Sequence, residues 1–77
     1  MSYGYSARLI KANQDADKSL LGVRLGKMCI QGEVPVVVVA QDLGVTRQTV
    51  YNWFSGTSSP VGATAIKVEA FIKKHFL

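Results

Sequence analysis

Apolar residues recur along this chain at three- and four-residue intervals, the spacing that lines one face of an α-helix. Leu21, Leu25 and Met28 form one such stripe, which Leu20 and Ile30 widen. The spacing predicts a helix over Lys18–Gln31, with Asp17 as N-cap and Gly32 as its stop. Acidic charge at Asp17 also suits the helix dipole. Gly22 and Gly26 lie four apart inside this segment. Glycine in a helix costs about 1 kcal/mol relative to alanine, a cost that makes sense where another helix packs closely on that face. A second helix opens at Pro35, whose missing N–H is not needed in a first turn, and runs to Leu43. Its four consecutive valines, Val36 to Val39, favour a strand by propensity alone. Val39, Ala40 and Leu43 nevertheless continue on helical spacing, and Gly44 stands where a helix-ending glycine belongs. Thr46 caps a third helix from Arg47 to about Ser55, with Val50, Trp53 and Phe54 as its buried stripe and Gly56 as its stop. After a polar loop over Thr57–Pro60, a last helix spans Gly62 to His75 with Ile66, Val68, Ala70, Phe71 and Ile72 apolar.

Residues 1–16 carry the weakest pattern. Ser2, Tyr3, Gly4 and Tyr5 read as an unstructured arm, and Ser6 to Asn13 as two helical turns with Ala7, Leu9 and Ile10 on one side. The expected organisation is therefore an arm or short helix over 1–16, followed by one domain over 17–77. An arm carrying Arg8 and Lys11 suits a DNA backbone or minor groove, and equally a frayed terminus. Alternating segments bounded by tight-turn dipeptides are scarce, so the expected class is all-α, with four to five helices.

At 77 residues there is room for one domain, and 48% apolar content excludes compositional disorder. The longest apolar stretch, Val34 to Ala40, is far too short to span a bilayer, and Met1 to Tyr5 has no secretory apolar run. Cys29 is the sole cysteine; it fits a reducing cytoplasm, and its place in an apolar pattern predicts a buried, inert thiol. One Cys and a distant His75 make no structural zinc site. Neither a nucleophile–histidine set nor a phosphate-cradling Gly-rich loop is present, and five carboxylates offer no paired acid and base. The expectation is a protein that is not an enzyme and takes no cofactor or small-molecule substrate. A net charge of +4 suits a phosphate backbone or an acidic surface.

One constellation narrows the choice. Ala40 is followed four residues later by Gly44, and Gly44 six later by Val50, with Val39, Leu43, Val45 and Trp53 apolar around them. A small Ala40 lets two helices cross tightly, Gly44 takes the positive φ of a short turn, and Val45 plugs that turn. Val50 and Trp53 pin the following helix, which assigns Trp53 to the core rather than to base stacking. From Val34 to about Pro60 this pattern resembles the helix-turn-helix of the phage repressor and Cro family of transcription regulators. Leu25 and Met28 fall where that family's first helix puts core residues. Trp53, Phe54, Ser55 and Gly56 resemble the end of its recognition helix.

The resemblance implies a lambda-repressor-like fold that binds double-stranded DNA with its third helix in the major groove. By position, Arg47, Gln48, Tyr51 and Asn52 face the DNA, while Thr46 and Thr49 sit at the groove edge for phosphates or a thymine methyl. The chemistry agrees, since Arg pairs bidentately with guanine and Gln or Asn with adenine. The chain departs from the family at Val36, where Gln often clamps a phosphate; backbone N–H groups remain for that role. Pro35, Val37 and Val38 also replace polar residues, leaving two exposed valines unless the N-terminal segment or a partner subunit covers them. In the last helix Lys67, Lys73, Lys74 and His75 form a solvated face, and its apolar excess suggests a two-fold homodimer reading half-sites about 34 Å apart. Two other functions use the same scaffold: a protein-interaction module, and a recombination accessory protein of the excisionase kind.

Overall fold

Residues 5–77 are described by a computed structural model, and the helices among them follow the apolar spacing with revised boundaries. They are α1 (Ala7–Asp15), α2 (Leu21–Gln31), α3 (Val36–Leu43), α4 (Arg47–Phe54) and α5 (Gly62–Phe76). No strand occurs among the described residues, so the architecture is all-α, with five helices. The valine run is helical because Val36, Val39, Ala40 and Leu43 share one face and are buried there. That burial outweighs the weak strand preference of valine. Pro35 serves as the N-cap residue rather than the first helical one.

α2 starts three residues later than its spacing predicts. Asp17 does not cap it: the carboxylate accepts from the N–H and hydroxyl of Ser19 at 2.9 and 2.7 Å, and its carbonyl accepts from Leu20 N–H at 3.2 Å. These bonds, the backbone one foremost, hold the Asp17 carboxyl below the usual carboxylate range. The short polar side chain has drawn the backbone into a turn instead of a helix. Lys18 turns back to close α1, its ammonium donating to the carbonyls of Gln14, Asn13 and Ala16.

The buried face of α2 is also rotated from the expected stripe. Val23, Leu25 and Cys29 are fully buried, whereas Leu21, Met28 and Ile30 lie at the margins. The two glycines set this rotation. A Cβ built on Gly22 would stand 2.7 Å from Trp53 Cβ, and one on Gly26 would stand 2.8 Å from Phe54 Cγ. α4 therefore lies directly on the glycine face, and the neighbouring core residues follow. Burial pushes the Cys29 thiol up to about 12, in keeping with an inert buried cysteine.

The arm expected over Ser2–Gly4 lies outside the described residues. Tyr5, expected to share it, is instead 7% exposed and part of the core. Burial raises its phenol above the ordinary tyrosine range, and the hydroxyl donates to the carbonyl of Val34. Ser6 caps α1 by accepting Leu9 N–H at 3.1 Å. α1 packs on both α2 and α4.

Between α2 and α3, Glu33 holds φ 58, a left-handed conformation that costs a side-chain-bearing residue about 1–2 kcal/mol. Glycine removes that strain but adds about 0.5–1 kcal/mol of unfolded-chain entropy. Glu33→Gly is therefore expected to stabilise the domain by about 0.5–1 kcal/mol and to raise its melting temperature by a few degrees, followed by circular dichroism. A lower melting temperature would show that the glutamate side chain contributes contacts worth more than the strain.

α5 resolves the apolar excess into two faces. Val68, Phe71 and Ile72 enter the core, while Ile66 is 69% exposed and Ala63, Ala70 and Leu77 share the outward side.

Candidate nucleic-acid interface

Gly44 ends α3 at φ 67 and ψ 35, and its N–H donates to carbonyls of α3. Val45 N–H then reaches Ala40 carbonyl at 3.0 Å, and only three residues separate α3 from α4. Thr46 starts α4: its hydroxyl oxygen accepts Thr49 N–H at 3.2 Å and lies 2.9 Å from Thr49 Oγ1. These caps matter because an eight-residue helix has little stability of its own. Its buried stripe of Val50, Trp53 and Phe54 supplies the rest by packing on α2 and α3.

The opposite face of α4 carries the residues singled out from sequence. Arg47, Gln48 and Tyr51 are exposed, and Asn52 is half-buried beside them. Positions 47, 48, 51 and 52 fall at one, two, five and six along the helix, which places them on one side. Gln48 Nε2 donates to Asn52 Oδ1 at 3.1 Å. The bond leaves Gln48 Oε1 to accept and Asn52 Nδ2 to donate, the two kinds of group that the major-groove edge of adenine matches. The Arg47 guanidinium makes no ion pair among the described residues, where Lys11 pairs with Asp15 at 3.1 Å and His75 Nε2 lies 3.4 Å from Asp42 Oδ2. Thr46, exposed, and Thr49, half-buried, lie at the N-terminal end of the same helix with their hydroxyls committed to each other.

On α3, Val36 is buried while Val37 and Val38 are 43% and 36% exposed. The described part of the N-terminal segment therefore covers neither of them. Arg8 and Lys11 are exposed on α1, with Lys11 paired to Asp15. Arg47 is the single cation of α4; the others lie on α1, α2, α5 and the α1–α2 connector.

Two residues that touch this unit escaped the pattern reading. Asn13 is 3% exposed, and its side-chain N–H groups donate to the carbonyls of Phe54 at 2.8 Å and Val23 at 3.1 Å. Tyr5 stacks on Phe54 with ring centroids 6.1 Å apart. A signal for Asn13 does exist: with Leu9 and Ile10 it occupies positions i, i+1 and i+4, so it continues the apolar side of α1. Tyr5 offers no such signal, standing before the helix.

Among the described residues no cluster of His, Cys, Asp and Glu is arranged to hold a metal, and no helix is long and apolar enough to cross a membrane. A family model described as helix-turn-helix matches residues 37–77, more than half of the chain. No curated protein and no solved structure matches it.

Proposed function

The chain belongs to the helix-turn-helix family of the phage-repressor and Cro type, and on that premise we propose that it reads specific sequences of double-stranded DNA as a small transcription regulator of bacterial or phage kind. The observation that carries this reading is the outward face of α4. Arg47, Gln48, Tyr51 and Asn52 project from a helix whose other side is locked into the core by Val50, Trp53 and Phe54. In this reading α4 lies in the major groove, Arg47 takes a guanine, and the Gln48–Asn52 pair takes an adenine. Tyr51 packs against the groove wall, and Thr46 and Thr49 approach a phosphate or a thymine methyl. The free N–H groups at the start of α3 supply a second phosphate contact in place of the family's glutamine.

A two-fold homodimer fits the same reading. Ala63, Ile66, Ala70 and Leu77 recur along the outward side of α5 at intervals of three, four and seven, an apolar stripe on which a second copy would pack. The exposed Val37 and Val38 favour the alternative of an interaction module that does not read DNA.

One experiment separates these. Duplexes selected from a random pool by the purified chain are titrated at several salt concentrations. A DNA reader gives log affinity falling linearly with log salt, by about 0.9 per phosphate neutralised, and prefers its selected site over random duplex by at least about 10³-fold. A palindromic selected site supports the dimer. Undetectable or salt-insensitive binding would leave the interaction module standing.

A further inference from the structure

The C-terminal carbonyls of α4 are satisfied one by one. Tyr51 carbonyl accepts from Ser55 N–H at 3.0 Å, Asn52 from Thr57 and Ser58 N–H at 2.9 and 3.2 Å, and Trp53 from Gly56 N–H at 3.2 Å. The last, Phe54, takes its partner from 41 residues upstream: the side-chain amide of Asn13 at 2.8 Å. The second amide hydrogen of Asn13 goes to Val23 carbonyl at 3.1 Å, so one buried side chain ties α1 to both α2 and the end of α4. Asn13 is the one buried polar side chain among the described residues. Tyr5 adds a second tie, its ring stacked on Phe54 and its hydroxyl bonded to Val34 carbonyl just before α3. Both residues precede the matched segment 37–77, so the helix-turn-helix is tied to the N-terminal segment by a buried amide and a stacked ring.

We propose that Asn13 and Tyr5 are positioning residues for DNA discrimination: they fix the orientation of α4 relative to α3 without touching the nucleic acid. The proposal rests on α4 being the helix that reads bases. Hydrogen bonds to base edges demand geometry held to a fraction of an ångström, whereas attraction between cations and phosphates tolerates displacement. Loosening the far end of α4 therefore weakens binding to the correct site and leaves binding to arbitrary DNA intact. A residue that only stabilised the fold would reduce both in proportion to the folded fraction.

The test uses the full chain with Tyr5→Phe, which removes the hydroxyl and keeps the ring, and Asn13→Ala, each measured well below its melting temperature. Two quantities are read: affinity for the selected duplex against a scrambled duplex of equal length, and amide hydrogen exchange along α4 and α2. Tyr5→Phe is expected to lower affinity for the selected duplex about 3–10-fold, the scale of one lost hydrogen bond. Asn13→Ala is expected to lower it further, with scrambled-duplex affinity and its salt slope unchanged. Exchange should quicken in α4 while Leu25 and Cys29 of α2 keep their protection. Equal losses on both duplexes would overturn the proposal, as would unaltered α4 exchange in Tyr5→Phe. If Asn13→Ala fails to fold, Tyr5→Phe decides alone. A wild-type chain that discriminates between no duplexes would overturn the DNA reading and the discrimination role with it. In that case α4 exchange in Tyr5→Phe still reports separately whether the tie holds the helix.

Discussion

Replacing Gly22 by alanine is expected to destabilise the domain by about 2 kcal/mol, although alanine favours a helix by about 1 kcal/mol over glycine. The two effects have opposite signs, and the packing distance decides between them. A Cβ at Gly22 would meet Trp53 Cβ at 2.7 Å, Trp53 carbonyl oxygen at 2.9 Å and Trp53 Cα at 3.0 Å. Two of these are backbone atoms and the third is fixed to the backbone, so no side-chain rotation relieves the contact. The helices themselves must separate, which loosens Trp53 and Phe54 from the centre of the core. Overpacking of this kind costs about 1–3 kcal/mol, and more where backbone must shift. For a domain of this length, about 2 kcal/mol corresponds to a fall of about 8–16 °C in melting temperature, read by circular dichroism or differential scanning calorimetry. An increase in melting temperature would mean that helix propensity governs this position and that α2 and α4 are not in direct contact. Gly44 provides a contrast. A Cβ there meets nothing within 4 Å, so a substitution at that turn is penalised by its φ of 67 and not by packing.

Arg47→Ala is expected to reduce affinity for the selected DNA site by about 1–3 kcal/mol, roughly 5- to 150-fold, while leaving thermal stability unchanged or slightly raised. The sign on stability follows from its surroundings. Arg47 occupies the first position of α4, whose first turn holds no acidic residue, and a cation there opposes the helix dipole. It makes no ion pair among the described residues, so truncation orphans no partner. Arg47 is exposed and pairs with no carboxylate among the described residues, so its removal is expected to register in DNA binding and not in folding. Competition binding against a panel of single-base variants should show discrimination relaxed at one base-pair position. Wild-type affinity for the selected site would mean that α4 does not enter the groove by its N-terminal end.

Arg47, Gln48, Tyr51 and Asn52 are singled out by position from the family resemblance, whereas the last four helices, the turn at Gly44 and the buried stripe of α4 are legible in residue spacing. Each depends on neighbours within about one or two turns: apolar positions three and four apart, a hydroxyl cap at Thr46, and a glycine where the backbone needs positive φ. These local terms mark where each helix and turn lies, while α3 and α4, eight residues each, are held helical by the burial of their apolar faces. The readings that changed depended on distant partners. Asp17 is the exception: its chemistry suits a cap and a turn equally, and its bonds to the near neighbours Ser19 and Leu20 close a turn. The stripe of Leu21, Leu25 and Met28 was sound as a count of apolar residues, but α4 resting on Gly22 and Gly26 decided which side of α2 turns inward. Tyr5 and Asn13 find their carbonyl partners 29 and 41 residues away. Periodicity reports which residues favour burial, because that preference belongs to a side chain and its turn of helix. It is silent on who meets whom across the core, because that is settled by the shapes of several helices packed together.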